Sequence, residues 1–185
     1  YVNGNDRTNT VDTHTTMTAN SHDLKIGTRP NEGGEFWDGF IDEPKVYNFA
    51  LSAAQVKANY NARGIGDGAS DVLGAQNQPA ALSNGLTSYW KMDESSWTND
   101  CATASILDSS SNGNTGRSCP NAGGTQPTNG KFGNAGSFDG SNDYVDINSY
   151  SGISSGSNIT YAAWIYPTSV DSTQNIIIDK DAYVR

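Results

Sequence analysis

Phe36-Trp-Asp-Gly-Phe-Ile-Asp-Glu-Pro-Lys-Val-Tyr47 decides the fold class. It holds two strand candidates with a break near Pro44, because proline cannot donate to a β-ladder. Downstream, Leu51-Ser-Ala-Ala-Gln-Val-Lys-Ala-Asn-Tyr60 is the one convincing helix. Ser52 and Gln55 make a capping box there, and Gly64 suits the C-terminal cap region. Leu51, Val56 and Tyr60 give this helix an apolar stripe. Upstream, Asp23-Leu-Lys-Ile-Gly27 reads as a short strand and Arg29-Pro-Asn-Glu-Gly-Gly34 as a turn.

Residues 62–85 are low in aromatics and rich in Gly, Ala, Asn and Gln, the composition of a flexible linker. From Leu86 the β pattern resumes. Leu86 to Met92 is a strand, Ser95 to Gly130 a long polar region, and Gly136 to Gly140 approaches a turn. Tyr144-Val-Asp-Ile147 alternates, and Ile159 to Tyr166 is expected to be the longest strand. Tyr1-Val-Asn-Gly reads as the end of a strand entering a turn, while Asn175 to Arg185 breaks off as strand. The chain therefore reads as the end of one module, a linker and the beginning of another.

Composition narrows the function. Only 35% of residues are hydrophobic, and Gly, Ser, Thr, Asn and Asp fill the gap, as short strands joined by many turns require. The net charge is −9: ten acids against six bases over residues 1–85, and ten against five over 86–185. Acidity spread this evenly disfavours nucleic acid or an anionic membrane, since both need a basic face. It suits an extracellular protein or a binder of divalent cations. No apolar run approaches the roughly 20 residues that span a bilayer.

Several patterns together resemble the laminin-G-like domains of the concanavalin A-like lectin/glucanase superfamily. Leu86-Thr-Ser-Tyr-Trp-Lys-Met-Asp-Glu94 resembles that family's first strand and the acidic pair after it. Asp108-Ser-Ser-Ser-Asn-Gly-Asn-Thr-Gly116 resembles a loop of the family, with Ser111 where Gly is usual. Lys131 to Val145 is similar to the next two strands, and Ile159 to Pro167 to the strand with a core Trp. Tyr1-Val-Asn-Gly, Leu24 to Gly27, Phe36 to Tyr47 and the Leu51 helix are similar to the family's C-terminal end. The resemblance implies an all-β jelly-roll sandwich with one short helix. It also implies that residues 1–61 are the C-terminal part of one domain and 86–185 the N-terminal part of the next. The first and last strands of such a domain lie side by side, so the two parts are expected to pack into one incomplete sandwich; apart, they would leave long unpaired edges.

The chemistry expected is binding rather than catalysis. Asp108, Asn112 and Asn114 alternate on one short loop, a spacing that lets oxygens converge on Ca2+. The resemblance brings Asp42 towards this loop, with Asp93 on the neighbouring strand. The competing reading is that these residues only stabilise turns through side-chain hydrogen bonds. Trp37, Trp97 and Tyr150 lie in polar or Gly-rich surroundings, where an exposed ring stacks on a sugar or else simply packs. Trp90 and Trp164 sit in strand patterns and are expected in the core. Cys101 and Cys119 share one polar stretch; in an exported protein they would pair, and otherwise they are two thiols. Asp139-Gly-Ser-Asn-Asp143 is a second acidic turn whose Asp-Gly is itself a hairpin signal. Glu35, Asp38, Asp42 and Glu43 lack the alternating spacing of glucanase carboxylates, and His14 and His22 have no nucleophile motif nearby.

The reading is thus a non-catalytic module of an extracellular or cell-surface protein that binds carbohydrate or a protein partner, with a structural calcium. The alternative is an adhesive repeat or fibre subunit completed by strands from neighbouring copies of itself.

Overall fold

A computed structural model of the chain describes residues 1–7, 22–30, 35–61, 85–119, 124–154, 158–169 and 175–180. The linker, the turn at residues 31–34, His14 and the strand-like end after residue 180 lie outside the described residues. Two antiparallel sheets face each other. In one, the order is β10 (Ile178–Asp179), β1 (Leu24–Ile26), β8 (Tyr144–Ile147), β5 (Gly116–Cys119) and β4 (Ala104–Ile106). In the other, β3 (Leu86–Tyr89), β2 (Asp38–Tyr47), β7 (Asn134–Asp139) and β6 (Gln126–Asn129) follow one another, and β9 (Thr160–Pro167) pairs with β2. The one helix among the described residues, α1, spans Ala53–Asn61.

Strands from the two ends of the chain interleave in both sheets. β1 lies between β8 and β10, pairing Leu24 with Ile147 and Lys25 with Asp179. β2 pairs with β3, β7 and β9 together, so it is the spine of its sheet. Neither end could close this sandwich without the other.

Alternation puts the core between the sheets. Leu24, Ile26, Val145 and Ile147 meet Ile41, Val46 and Phe138 across the interior, with Trp90 and Met92 closing it. A smaller cluster forms on the outer side, where Tyr47 and Leu51 pack with Val56, Leu86 and Ala162 at the start of α1. The expected capping box is present: the Ser52 amide donates to Gln55 Oε1 at 2.9 Å, and the Gln55 amide donates to Ser52 Oγ at 3.3 Å.

Three expectations need correction. The break at Pro44 does not split the strand, because β2 runs through it for 10 residues and is longer than β9. A register shift between Asp42 and Lys45 makes Glu43-Pro44 a bulge, with Glu43 at φ 55°. Proline is tolerated there because a bulge residue has no ladder bond to lose. The polar region from Ser95 to Gly130 contains β4, β5 and β6, whose side chains are too polar to announce strands. Gly136 to Gly140 is mostly β7 itself rather than an approach to a turn.

Candidate functional site

The Asp108 loop is closed by its own side chains. Asp108 Oδ1 accepts from the Tyr89 and Ser110 amides at 3.0 and 2.9 Å. Its Oδ2 accepts from Ser110 Oγ and the Asn114 amide, each at 2.9 Å. Asn112 and Asn114 turn their amide nitrogens onto the Thr87 carbonyl, at 3.1 and 2.9 Å. Asp42 and Asp93 serve another element, the turn between β6 and β7. Asp42 Oδ2 accepts from the Phe132 amide at 2.8 Å, and Asp93 Oδ1 from the Asn134 amide at 2.9 Å. The five residues expected around calcium therefore fall into two groups with different partners. Four donors already occupy the Asp108 carboxylate, so this donor set does not fit a calcium ion as arranged. Among the described residues no group of three or more His, Cys, Asp or Glu side chains gathers at a point that could hold a metal.

The three aromatics expected at a binding surface are instead buried. Trp37 and Tyr150 are each 4% exposed and Trp97 6%. Trp97 Nε1 donates to Glu94 Oε2 at 3.0 Å, and the Tyr150 hydroxyl lies 2.8 Å from Thr87 Oγ1. Polar neighbours in sequence concealed this, because the flanking residues point outwards while the rings turn in. Cys101 and Cys119 form a disulfide with their Cα atoms 4.8 Å apart, stapling the stretch that leads into β5.

A cluster of aromatics that reach solvent stands elsewhere, on the outer face of β2 and β9, with Tyr166 exposed and Phe40 and Trp164 half-buried. Cross-strand register pairs Phe40 with Tyr166 and Asp42 with Trp164. Phe40 and Tyr166 lie nearly parallel, with ring centroids 5.8 Å apart and an interplanar angle of 19°. Trp164, expected in the core, is half-buried between Tyr60 of α1 at 5.1 Å and Phe132 at 5.5 Å. Tyr166 is 64% exposed. The signal for this was the period of two along β9: Ala162, Trp164 and Tyr166 share one face, and Tyr161 and Ala163 pack against the core on the other.

Tight backbone packing holds the pair of strands in place. Gly39 has φ 139°, and a Cβ there would stand 2.3 Å from the Tyr166 carbonyl oxygen. Only glycine fits under this part of β9. The bulge next to Asp42 is fixed by Glu43, which accepts from the Tyr89 hydroxyl and pairs with Lys45 Nζ at 3.1 Å.

Between these rings opens a hollow of about 300 Å³, lined by Phe40, Trp164, Tyr166, Asp42, Asn129 and Lys131 among others. Lys131 Nζ lies 5.6 Å from the centre of the Trp164 ring. Asp42 forms part of the wall and is 3% exposed. Burial pushes its carboxyl up to about 6; the Phe132 amide opposes the rise, and the charges of Glu43 and Asp93 add to it. A larger hollow, about 550 Å³, borders β9 and reaches from Tyr1 and Val2 to Ile177 and Ile178. Its lining mixes Leu51, Val56 and Ala162 with the rings of Tyr1, Tyr60, Tyr161 and Trp164 and with the polar Glu43, Lys45 and Asn59.

Residues 1–57 match a laminin-G-like family model described as the concanavalin A-like lectin/glucanases superfamily. No curated protein and no solved structure matches the chain. The matched segment carries β1, β2 and the first turn of α1, and hence Phe40 and Asp42. Trp164, Tyr166 and the β6–β7 turn come from the part of the chain beyond the match. The two antiparallel sheets with a single short helix among the described residues are consistent with a concanavalin A-like β-sandwich across both parts.

Proposed function

We propose that the protein is a non-catalytic carbohydrate-binding module, and that the outer face of β2 and β9 is where it binds. The observation that carries this reading is the set of Phe40, Trp164 and Tyr166 around a hollow walled by Asp42, Asn129 and Lys131. A sugar ring has apolar C–H faces and a rim of hydroxyls. Flat aromatic rings suit the faces, and a few placed acceptors and donors suit the rim. The hollow is of the size range of small-ligand pockets, and it stands on two strands locked by backbone packing at Gly39. The laminin-G-like family supports a binding role for carbohydrate or protein, and the Cys101–Cys119 disulfide suits an extracellular or cell-surface setting.

The test is an immobilised panel of neutral and acidic oligosaccharides probed with the chain and with Tyr166→Ala. Tyr166 is mostly exposed, so the variant should fold normally yet lose most binding, by analogy with the stacking of a base on an aromatic ring, which is worth about 1–3 kcal/mol. Equal binding by the variant, or no oligosaccharide bound at all, would overturn the assignment. Capture of a protein instead of a glycan would also do so.

A further inference from the structure

We infer that Asp42 selects the sugar: the pocket takes a neutral ring that offers a hydroxyl to Asp42 Oδ1 and rejects uronic acids. This rests on the glycan-binding reading above. Three observations meet at this residue. First, the carboxylate is unevenly used: Oδ2 accepts from the Phe132 amide at 2.8 Å and the Lys131 amide also lies against the group, while Oδ1 is buried with no hydrogen-bond partner. A buried acceptor left unpaired costs stability, so its retention on the wall of a pocket points to a partner that arrives with the ligand. Second, Asp42 is the cross-strand neighbour of Trp164, so a ring stacked on that indole brings its hydroxyl rim towards the carboxylate. Third, the nearest cation of the pocket, Lys131, holds its ammonium over the Trp164 ring.

A ring that stacks on Trp164 takes the place of that ammonium beside the Asp42 wall and leaves Lys131 free to donate to an adjacent ring oxygen. Acceptor and donor then stand side by side, the arrangement that reads two neighbouring hydroxyl groups. The charges around Asp42 decide against acidic sugars. Glu43 on its own strand and Asp93 beyond β3 add negative potential, Lys131 on the β6–β7 turn is the one cation lining the hollow among the described residues, and β9 contributes the uncharged Trp164 and Tyr166. A uronate carboxylate in this place would face Asp42 with like charge.

The experiment titrates the whole chain, Asp42→Asn and Tyr166→Ala with cellotetraose, mannotetraose, galactotetraose and tetragalacturonate. Asparagine keeps an oxygen for the Phe132 amide but presents an amide donor where Oδ1 had accepted. At least one neutral tetrasaccharide should bind the chain, tetragalacturonate at least tenfold more weakly, and Asp42→Asn should bind the neutral sugar about tenfold or more weakly. The unfolding midpoint of Asp42→Asn, measured alongside, shows that the variant is folded. If Tyr166→Ala loses binding while Asp42→Asn keeps it, the role of Asp42 falls and the site stands. Binding of tetragalacturonate as tight as that of the neutral sugar also sinks the selection. If neither substitution matters, or no tetrasaccharide binds, both the site and the selection fall.

Discussion

Between the sheets, Trp90 is fully buried, and its indole N–H donates to the Asn114 carbonyl at 2.6 Å. On the outer face, Trp164 is half-buried, bordered by Tyr60, Phe132 and the ammonium of Lys131. Both indoles sit in strand-like sequence, yet one has all its contacts satisfied within the fold and the other has a side left open. The difference lies in what each ring can still gain. Trp90 can only lose contacts, so it serves stability; Trp164, beside the Lys131 ammonium on the wall of the hollow, is the ring that the proposed binding site uses.

Truncating the inner ring should give the largest effect. Trp90→Ala is expected to cost about 3–5 kcal/mol, or to abolish cooperative unfolding, in denaturant titrations. A loss under about 1 kcal/mol would mean that the interior is not packed around this ring.

Asp42→Asn sharpens the comparison from the outer side, with a smaller effect of opposite sign. A folded-state carboxyl raised to about 6 from its ordinary 3.8 favours the protonated form. The contribution of the neutral carboxyl is therefore fully present below about pH 4, is lost as pH rises through about 6, and changes little above pH 7. The variant should match the unaltered chain at pH 4 and exceed it by about 1–2 kcal/mol at pH 7. Asp143, also raised to about 6 by burial and by Asp139, is present in both proteins, so their difference isolates Asp42. A variant less stable at pH 7 would show that the carboxylate is a structural asset rather than a strained one.

Calcium should give the smallest effect. With Asp108 satisfied by four donors, excess Ca2+ after EDTA should leave the unfolding midpoint within about 1 °C. A rise of several degrees, lost in Asp108→Ala, would show that the loop rearranges to take the ion.

Much of the fold was legible because it rests on local signals. The capping box at Ser52 and Gln55, the alternation in Tyr144 to Ile147 and the family patterns in both parts each point to an all-β sandwich with one helix. The polar strands β4 to β6 were not legible, since Gly-Arg-Ser-Cys and Gln-Pro-Thr-Asn owe their conformation to cross-strand partners. The site was harder still. Whether Trp37 or Trp164 meets solvent depends on which element covers each face, and no local window holds that information. Of the residues expected at sites, Asp42 lies in the pocket, while Trp37, Trp97 and Tyr150 belong to the core.

The most direct test follows the four indole N–H signals by NMR while a neutral tetrasaccharide that binds on the panel is added. The Trp164 signal, assigned from Trp164→Phe, should move with saturation while those of Trp37, Trp90 and Trp97 stay fixed. Movement of a buried indole with Trp164 unchanged would contradict a glycan site on the outer face of β2 and β9.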